Sequence, residues 1–278
     1  MGQCYKICNL DKKQYLHPHT FGDGLKLLAF GDSGYGTMAA LTLLLSRGNG
    51  LGKGDFISCD QIIGSWSGDR IVASGNYADS GKFTNNSEEN LYGLTEQFED
   101  ISESILVVMA KDAKFRVILQ ESISIFVRDR LSKDTKNIIF GTESQQPQEQ
   151  DVVLGGKKKQ SWRIFNLDKN QKIHAEDFNV STLNNILAST GVTAALAVLL
   201  SDGNGRGGGD LDSEKPVVGS WAGDRIVVCG SLSSEDNLFS SRKFKNVGKE
   251  IILALADDSY VRESLMQTLP TKQRKLIA

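Results

Sequence analysis

Residues 41–72, LTLLLSRGNGLGKGDFISCDQIIGSWSGDRIV, recur as residues 196–227, LAVLLSDGNGRGGGDLDSEKPVVGSWAGDRIV, and this pair decides how the chain is read. The match runs back to QCYKICNLDKKQYLH (3–17) against QSWRIFNLDKNQKIH (160–174). It runs forward to DISESILVVMAKD (100–112) against NVGKEIILALADD (246–258). The stretches between these blocks have drifted in wording and length. The chain therefore reads as a tandem duplication, and the retained blocks mark what the fold or a site requires.

Each copy opens with two short apolar-rich segments around Asn-Leu-Asp-Lys, a turn composition, which predicts a β-hairpin. Thr37–Ser46 and Val192–Ser201 are apolar on every side, the pattern of a buried helix. Alternate glycines in GNGLGKGD (48–55) and GNGRGGGD (203–210) stop that helix. Ile71–Ser74 and Ile226–Cys229 read as strands. Ile101–Lys111 and Val247–Ala256 carry apolar residues at helical spacing. The expected class is α+β, a duplicated ββ-α-loop-β(β)-α unit. The expected boundaries are a first repeat at 1–131, a flexible linker at 132–159, rich in Gln, Gly and Lys, and a second repeat at 160–278. Each copy holds the full block order and is expected to bury its own core; one fused domain with pseudo-twofold symmetry is the alternative.

Composition narrows the function classes. The 278 residues are 40% hydrophobic and 24% charged with a formal net charge of −2, an ordinary globular balance without the basic excess of a nucleic-acid binder. No apolar run approaches the ~20 residues of a transmembrane helix. Four irregularly spaced cysteines point to a reducing compartment, so the expected location is cytoplasmic. Lys6 and Asn9 interrupt what a secretory signal would need. Lys6 also stands where N-myristoylation of Gly2 would want Ser or Thr, which argues against a lipid anchor at Gly2 and Cys4.

The glycine-rich loops are the first candidate site, because exposed backbone N–H groups can cradle an anion. The P-loop pattern fails: Gly54 follows Lys53, and Gly208 replaces that lysine in the second copy. A calcium register through Asp202, Asn204 and Asp210 ends on Ser213 in place of Glu. Trp-Ser/Ala-Gly-Asp-Arg (66–70 and 221–225) is the second candidate. Its tryptophans are expected to be buried anchors, and its Asp69–Arg70 and Asp224–Arg225 pairs to orient a turn or contact a ligand. The candidate ligand-binding set is therefore Asn204, Gly205, Gly207, Gly208, Asp210, Asp224 and Arg225, with Asn49, Asp55, Asp69 and Arg70 from the first copy. A polar cluster joining Asp69 and Arg70 to Asn49 and Asp55 near the loop is one possible arrangement. One histidine per copy, His17 and His174, is too few for a protein-built metal site and reads as structural. No catalytic residue, metal or cofactor is assigned.

With QCYKICNLDKK, FGDGLKLLAF, GNGRGGGDL and GSWAGDRIV in hand, the chain resembles a widespread, mostly bacterial family of small proteins. Its members open Met-Gly-Gln and carry the Asn-Leu-Asp-Lys, glycine-rich and Trp-Ala-Gly-Asp-Arg strings in this order. The resemblance covers both copies except the linker and the tail after about position 265, and it implies no activity. The favoured function is a non-enzymatic, two-repeat binding or structural module in a larger cytosolic assembly. Its expected partner is a protein presenting repeated similar sites, such as a cytoskeletal filament. The alternative is a small-molecule-binding protein or enzyme that uses the glycine loop for an anionic or nucleotide-like ligand.

Overall fold

A computed structural model describes residues 2–53, 55, 56, 58, 60–141, 158, 160–234, 239 and 241–278. The first half lays down β1 (Tyr5–Asn9), β2 (Gln14–Leu16), α1 (Leu27–Gly31), α2 (Thr37–Leu45), β3 (Ser46–Arg47) and β4 (Arg70–Gly75). It continues with α3 (Leu91–Leu94), β5 (Glu99–Asp100), α4 (Ser102–Ala110), α5 (Ala113–Ser122), α6 (Ile125–Arg130) and α7 (Lys133–Phe140). The second half opens in the same order with β6 (Trp162–Asn166), β7 (Gln171–His174), α8 (Leu183–Leu187), α9 (Thr190–Leu200), β8 (Ser201–Asp202) and β9 (Asp224–Gly230). It ends with β10 (Lys245–Asn246), α10 (Gly248–Leu255), α11 (Ser259–Thr268) and α12 (Thr271–Ile277). Helices and a mixed sheet make this an α+β protein.

The strands form one sheet in the order β10-β7-β6-β9-β4-β1-β2-β5, with β3 added to β9 and β8 added to β4. At its centre β4 meets β9 antiparallel, with Arg70 opposite Arg225 and Ile71 opposite Asp224. Beyond that contact each central strand takes a two-residue strand from the other half: Ser46 pairs with Val228, and Ser201 with Ala73. The exchange is reciprocal, so neither half completes its sheet alone.

Alternation along the strands sends residues to two faces. Tyr5, Ile7, Ile71 and Ala73, with Trp162, Ile164, Ile226 and Val228, join one core that draws on both halves. Every residue of α2 and nearly all of α9 is buried in it, as helices apolar on all sides require. The opposite face carries two smaller clusters, Phe165, Val227, Cys229 and Phe244 in one half and Cys8, Val72 and Leu91 in the other. Burial there pushes the Cys8 thiol up to about 12, so it stays protonated.

Two expectations need correction. The linker does not begin at residue 132, because Lys133–Phe140 is a helix capped by the Ser132 side chain, and it buries Thr135 and Ile139 in the first half. Residues 142–157 and 159 lie outside the described residues. Separate cores for the two copies are also not what forms, since the main core is common to both. The fused alternative describes this architecture.

Candidate functional site

The candidate residues fall into three places. The second-half glycine loop docks on the first half's amino-terminal strand. Asp210 Oδ2 accepts from the backbone N–H groups of Arg206 and Gly207 at 3.0 Å each, and Oδ1 accepts from the Tyr5 hydroxyl at 2.9 Å. Burial and the Asp210 charge push the Tyr5 phenol above its ordinary value. Asn204 closes the loop with paired 2.9 Å bonds to the Leu211 backbone. Gly208 bridges to Gly2, whereas Gly205 faces open space. Gly207 is required by a close approach, because a Cβ there would lie 2.5 Å from the Gln3 backbone nitrogen.

The first-half loop repeats this docking in the opposite direction. Asp55 Oδ2 accepts from Gly52 N at 2.7 Å and from Gln160 Nε2 at 2.6 Å, and Gln160 also donates to the Gly48 carbonyl at 3.1 Å. Burial raises the Asp55 carboxyl pKa, opposed by these donors. Asn49 Oδ1 is buried without a partner. In each loop, then, an in-chain carboxylate takes the backbone N–H groups that an anion would have used.

Asp69, Arg70, Asp224 and Arg225 do not join either loop. They sit at the start of β4 and β9, whereas Asp202, which leads into the second loop, pairs with Ser74. At ~3.3 Å per residue that separates Arg70 from the second loop's base by about 13 Å. The first loop, which carries Asn49 and Asp55, follows Arg47 at its pairing with Cys229, equally far along β9 from Arg225. The expected polar cluster with Asn49 and Asp55 is not formed.

Instead, the Trp-x-Gly-Asp-Arg string interlocks with the Asn-Leu-Asp-Lys turn of its own half. Asn9 donates to Asp69 at 2.8 Å, and Asn166 to Asp224 at 2.7 Å. Lys12 pairs with Asp69 and reaches the Ser65 carbonyl; Lys169 does the same with Asp224 and Ser220. Asp11 receives both the backbone N–H and the guanidinium of Arg70, as Asp168 does from Arg225. These arginines hold both carboxyls below the ordinary Asp range, against the opposing effect of burial. Fully buried Trp66 and Trp221 seat the turns and donate to Gln14 and Gln171 at 2.8 and 2.6 Å. The two strings recur together because they are two sides of one clamp.

A cleft of about 490 Å³ opens in the first half, within the range of small-ligand sites. It is lined by His17, just after β2, and by His19 and Thr20 on the 3-10 turn Pro18–Phe21. Asp100, Ser102 and Glu103 line it from β5 and α4, and Val127, Arg130 and Leu131 from α6 and its end. Both oxygens of Glu103 are taken, by Ser132 N at 2.9 Å and the Thr135 hydroxyl at 3.0 Å. Asp100 accepts from Ser102 N at 2.9 Å, and burial followed by the Asp100 charge pushes the Tyr15 phenol above its ordinary value. By contrast, the Arg130 guanidinium and the His17 and His19 rings make no hydrogen bond or ion pair among the described residues. The two rings stand 5.4 Å apart. Burial first, then the positive charge of His19 and Lys6, lowers the His17 pKa.

At the corresponding place in the second half a carboxylate bridges the turn to its neighbours. Asp177 stands where Thr20 does and accepts from Asn246 at 2.9 Å and Gln273 at 3.4 Å. A Cβ on Gly248, the counterpart of Ser102, would lie 2.5 Å from that carboxylate. From sequence alone His17 reads as structural, and no site is drawn from His19. The missed signal was the set of changes at one turn: His19 to Glu176, Thr20 to Asp177 and Asp100 to Asn246.

Among the described residues no three His, Cys, Asp or Glu side chains are arranged to hold a metal ion, and no helix is long and apolar enough to cross a membrane. Comparison with protein families, curated proteins and solved structures finds no match.

Proposed function

We propose that this protein is a non-enzymatic binding module, built by tandem duplication within the family its motifs resemble, with one recognition cleft in the first half and a second half that completes the scaffold. The observation that carries this reading is the asymmetry between an open cleft at Thr20 and a bridged carboxylate at Asp177. Binding is favoured over catalysis because both cleft carboxylates are already held by in-chain donors. The glycine loops serve the scaffold, since Asp55 and Asp210 take backbone donors of their own loops and also receive Gln160 and Tyr5 of the other half. A partner with repeated similar sites is not carried forward, because the two halves present different surfaces here.

The test transplants the closed arrangement. Thr20→Asp, Asp100→Asn, Ser102→Gly and Val127→Gln together should seal the cleft. The fold should survive at a cost of about 1 kcal/mol for losing the 2.8 Å bond from His17 N to the Ser102 hydroxyl. Thermal shifts across a panel of anions, cations and neutral metabolites should appear with the wild type and vanish with the sealed variant. A ligand that stabilises both equally would place the binding site elsewhere.

A further inference from the structure

Resting on that reading of the cleft, we propose that its ligand is an oxyanion, a carboxylate or phosphate, carrying an apolar substituent. Arg130 and the His17–His19 pair hold the charge, and Phe126 contacts the substituent. The argument starts from which groups remain unused. Asp100 and Glu103, the acidic members, accept hydrogen bonds from Ser102 and from Ser132 and Thr135. The donors that face the same space are unpartnered among the described residues: a guanidinium built for two-point contact with a planar oxyanion, and two imidazoles. A cation would meet the positive Arg130 and carboxylate oxygens of Asp100 and Glu103 that already accept in-chain hydrogen bonds.

The apolar part follows from α6. Phe126 and Arg130 are four residues apart on this helix and so share one face. Phe126 is 82% exposed and Ile125 73% exposed, on the helix whose Val127 and Arg130 line the cleft. In the second half the same positions carry Lys272 and Leu276, which exchanges the apolar and basic places.

The histidines tie binding to pH. The charged groups around His17 are Lys6 on β1, His19 on the turn, Asp100 on β5 and Arg130 on α6. Glu103 on α4 lies across the same cleft. Together with burial they favour neutral His17, and a bound oxyanion favours the imidazolium. Binding therefore takes up a proton and strengthens as pH falls.

The experiment titrates the full chain with inorganic phosphate, acetate, phenyl phosphate and tetramethylammonium at constant ionic strength. It reads the His17 and His19 imidazole resonances by NMR. Either oxyanion should saturate the cleft, phenyl phosphate should bind more tightly than inorganic phosphate, and Phe126→Ala should erase that difference. Arg130→Gln, at an exposed position that leaves the fold intact, should weaken binding by roughly tenfold or more. Affinity should rise from about pH 8 to about pH 6, across the ordinary histidine range, and His17→Gln with His19→Gln should flatten the profile. Unchanged affinity in Arg130→Gln overturns the proposal. A response to tetramethylammonium alone, abolished in the sealed variant, refutes the oxyanion while leaving the cleft as the binding site. Silence to every probe here and in the wider panel refutes both.

Discussion

Thr20 and Asp177 occupy the same place on the same 3-10 turn of the two halves, each followed by a buried Phe and a residue in the left-handed conformation, Gly22 and Asn179. Around Asp177 the half is closed by hydrogen bonds from Asn246 and Gln273. Around Thr20 it is open, lined by unused donors. The 3-10 turn is common to both halves, and what differs around it is a few side chains together with α7, which only the first half carries among the described residues. The clamp teaches the converse. There the halves keep the same atoms in the same roles, because each clamp places the first residues of a central strand that pairs with the other half.

The equivalence of the scaffold halves can be broken most severely by cutting between them. Fragments 1–141 and 158–278 should each lack a cooperative unfolding transition, because each leaves a central strand without its inserted neighbour and opens the common core. Mixed together they should regain one transition by circular dichroism. Two fragments that melt cooperatively alone would refute the shared core. The next effect is smaller and should be equal in the two halves. Trp66→Ala and Trp221→Ala should each cost about 3–5 kcal/mol in urea unfolding, as for a buried large aromatic. A clear inequality would show that one clamp matters more than its counterpart.

The smallest effect sharpens the comparison through pH. Burial is the main cause lowering the pKa of both His17 and His174 in the folded state. Each folded value lies below the unfolded one, so each contributes stability that is present above about pH 6.5 and is lost as pH falls through the folded pKa. Melting temperature should drop on acidification through this window, and His17→Gln or His174→Gln should each reduce the slope. Adding an oxyanion should reverse the His17 contribution only, since His174 faces the closed half.

The hairpins, both buried helices, the central strands and the second helices were legible to within a residue or two. Their signals are local: an Asn-Leu-Asp-Lys turn, apolar residues on all sides of Thr37–Leu45, and the short apolar run Ile71–Ala73. The two-residue strands Ser46–Arg47 and Ser201–Asp202 were not legible, because so short a segment has no periodicity and exists only by virtue of its partner. Among candidate site residues, the glycine loops make docking contacts and the Trp-x-Gly-Asp-Arg strings form clamps. A glycine needed for close backbone approach and one needed for a ligand look alike in sequence. The cleft lay in the divergent wording around His19, Thr20 and Arg130, outside every retained string.

The sequence by itself determined that the chain has two like halves, which of their segments are helices and strands, and that Trp66 and Trp221 are anchors. Periodicity and turn chemistry act over a few residues and are written in order along the chain. Only the tertiary structure decided that β3 and β8 cross to the opposite half, that each glycine loop closes on the other half's first strand, and that Asn-Leu-Asp-Lys grips Gly-Asp-Arg of its own half. These contacts join residues far apart in the chain through directional hydrogen bonds. Their partners are chosen by the geometry of the assembled sheet and not by any neighbour in sequence.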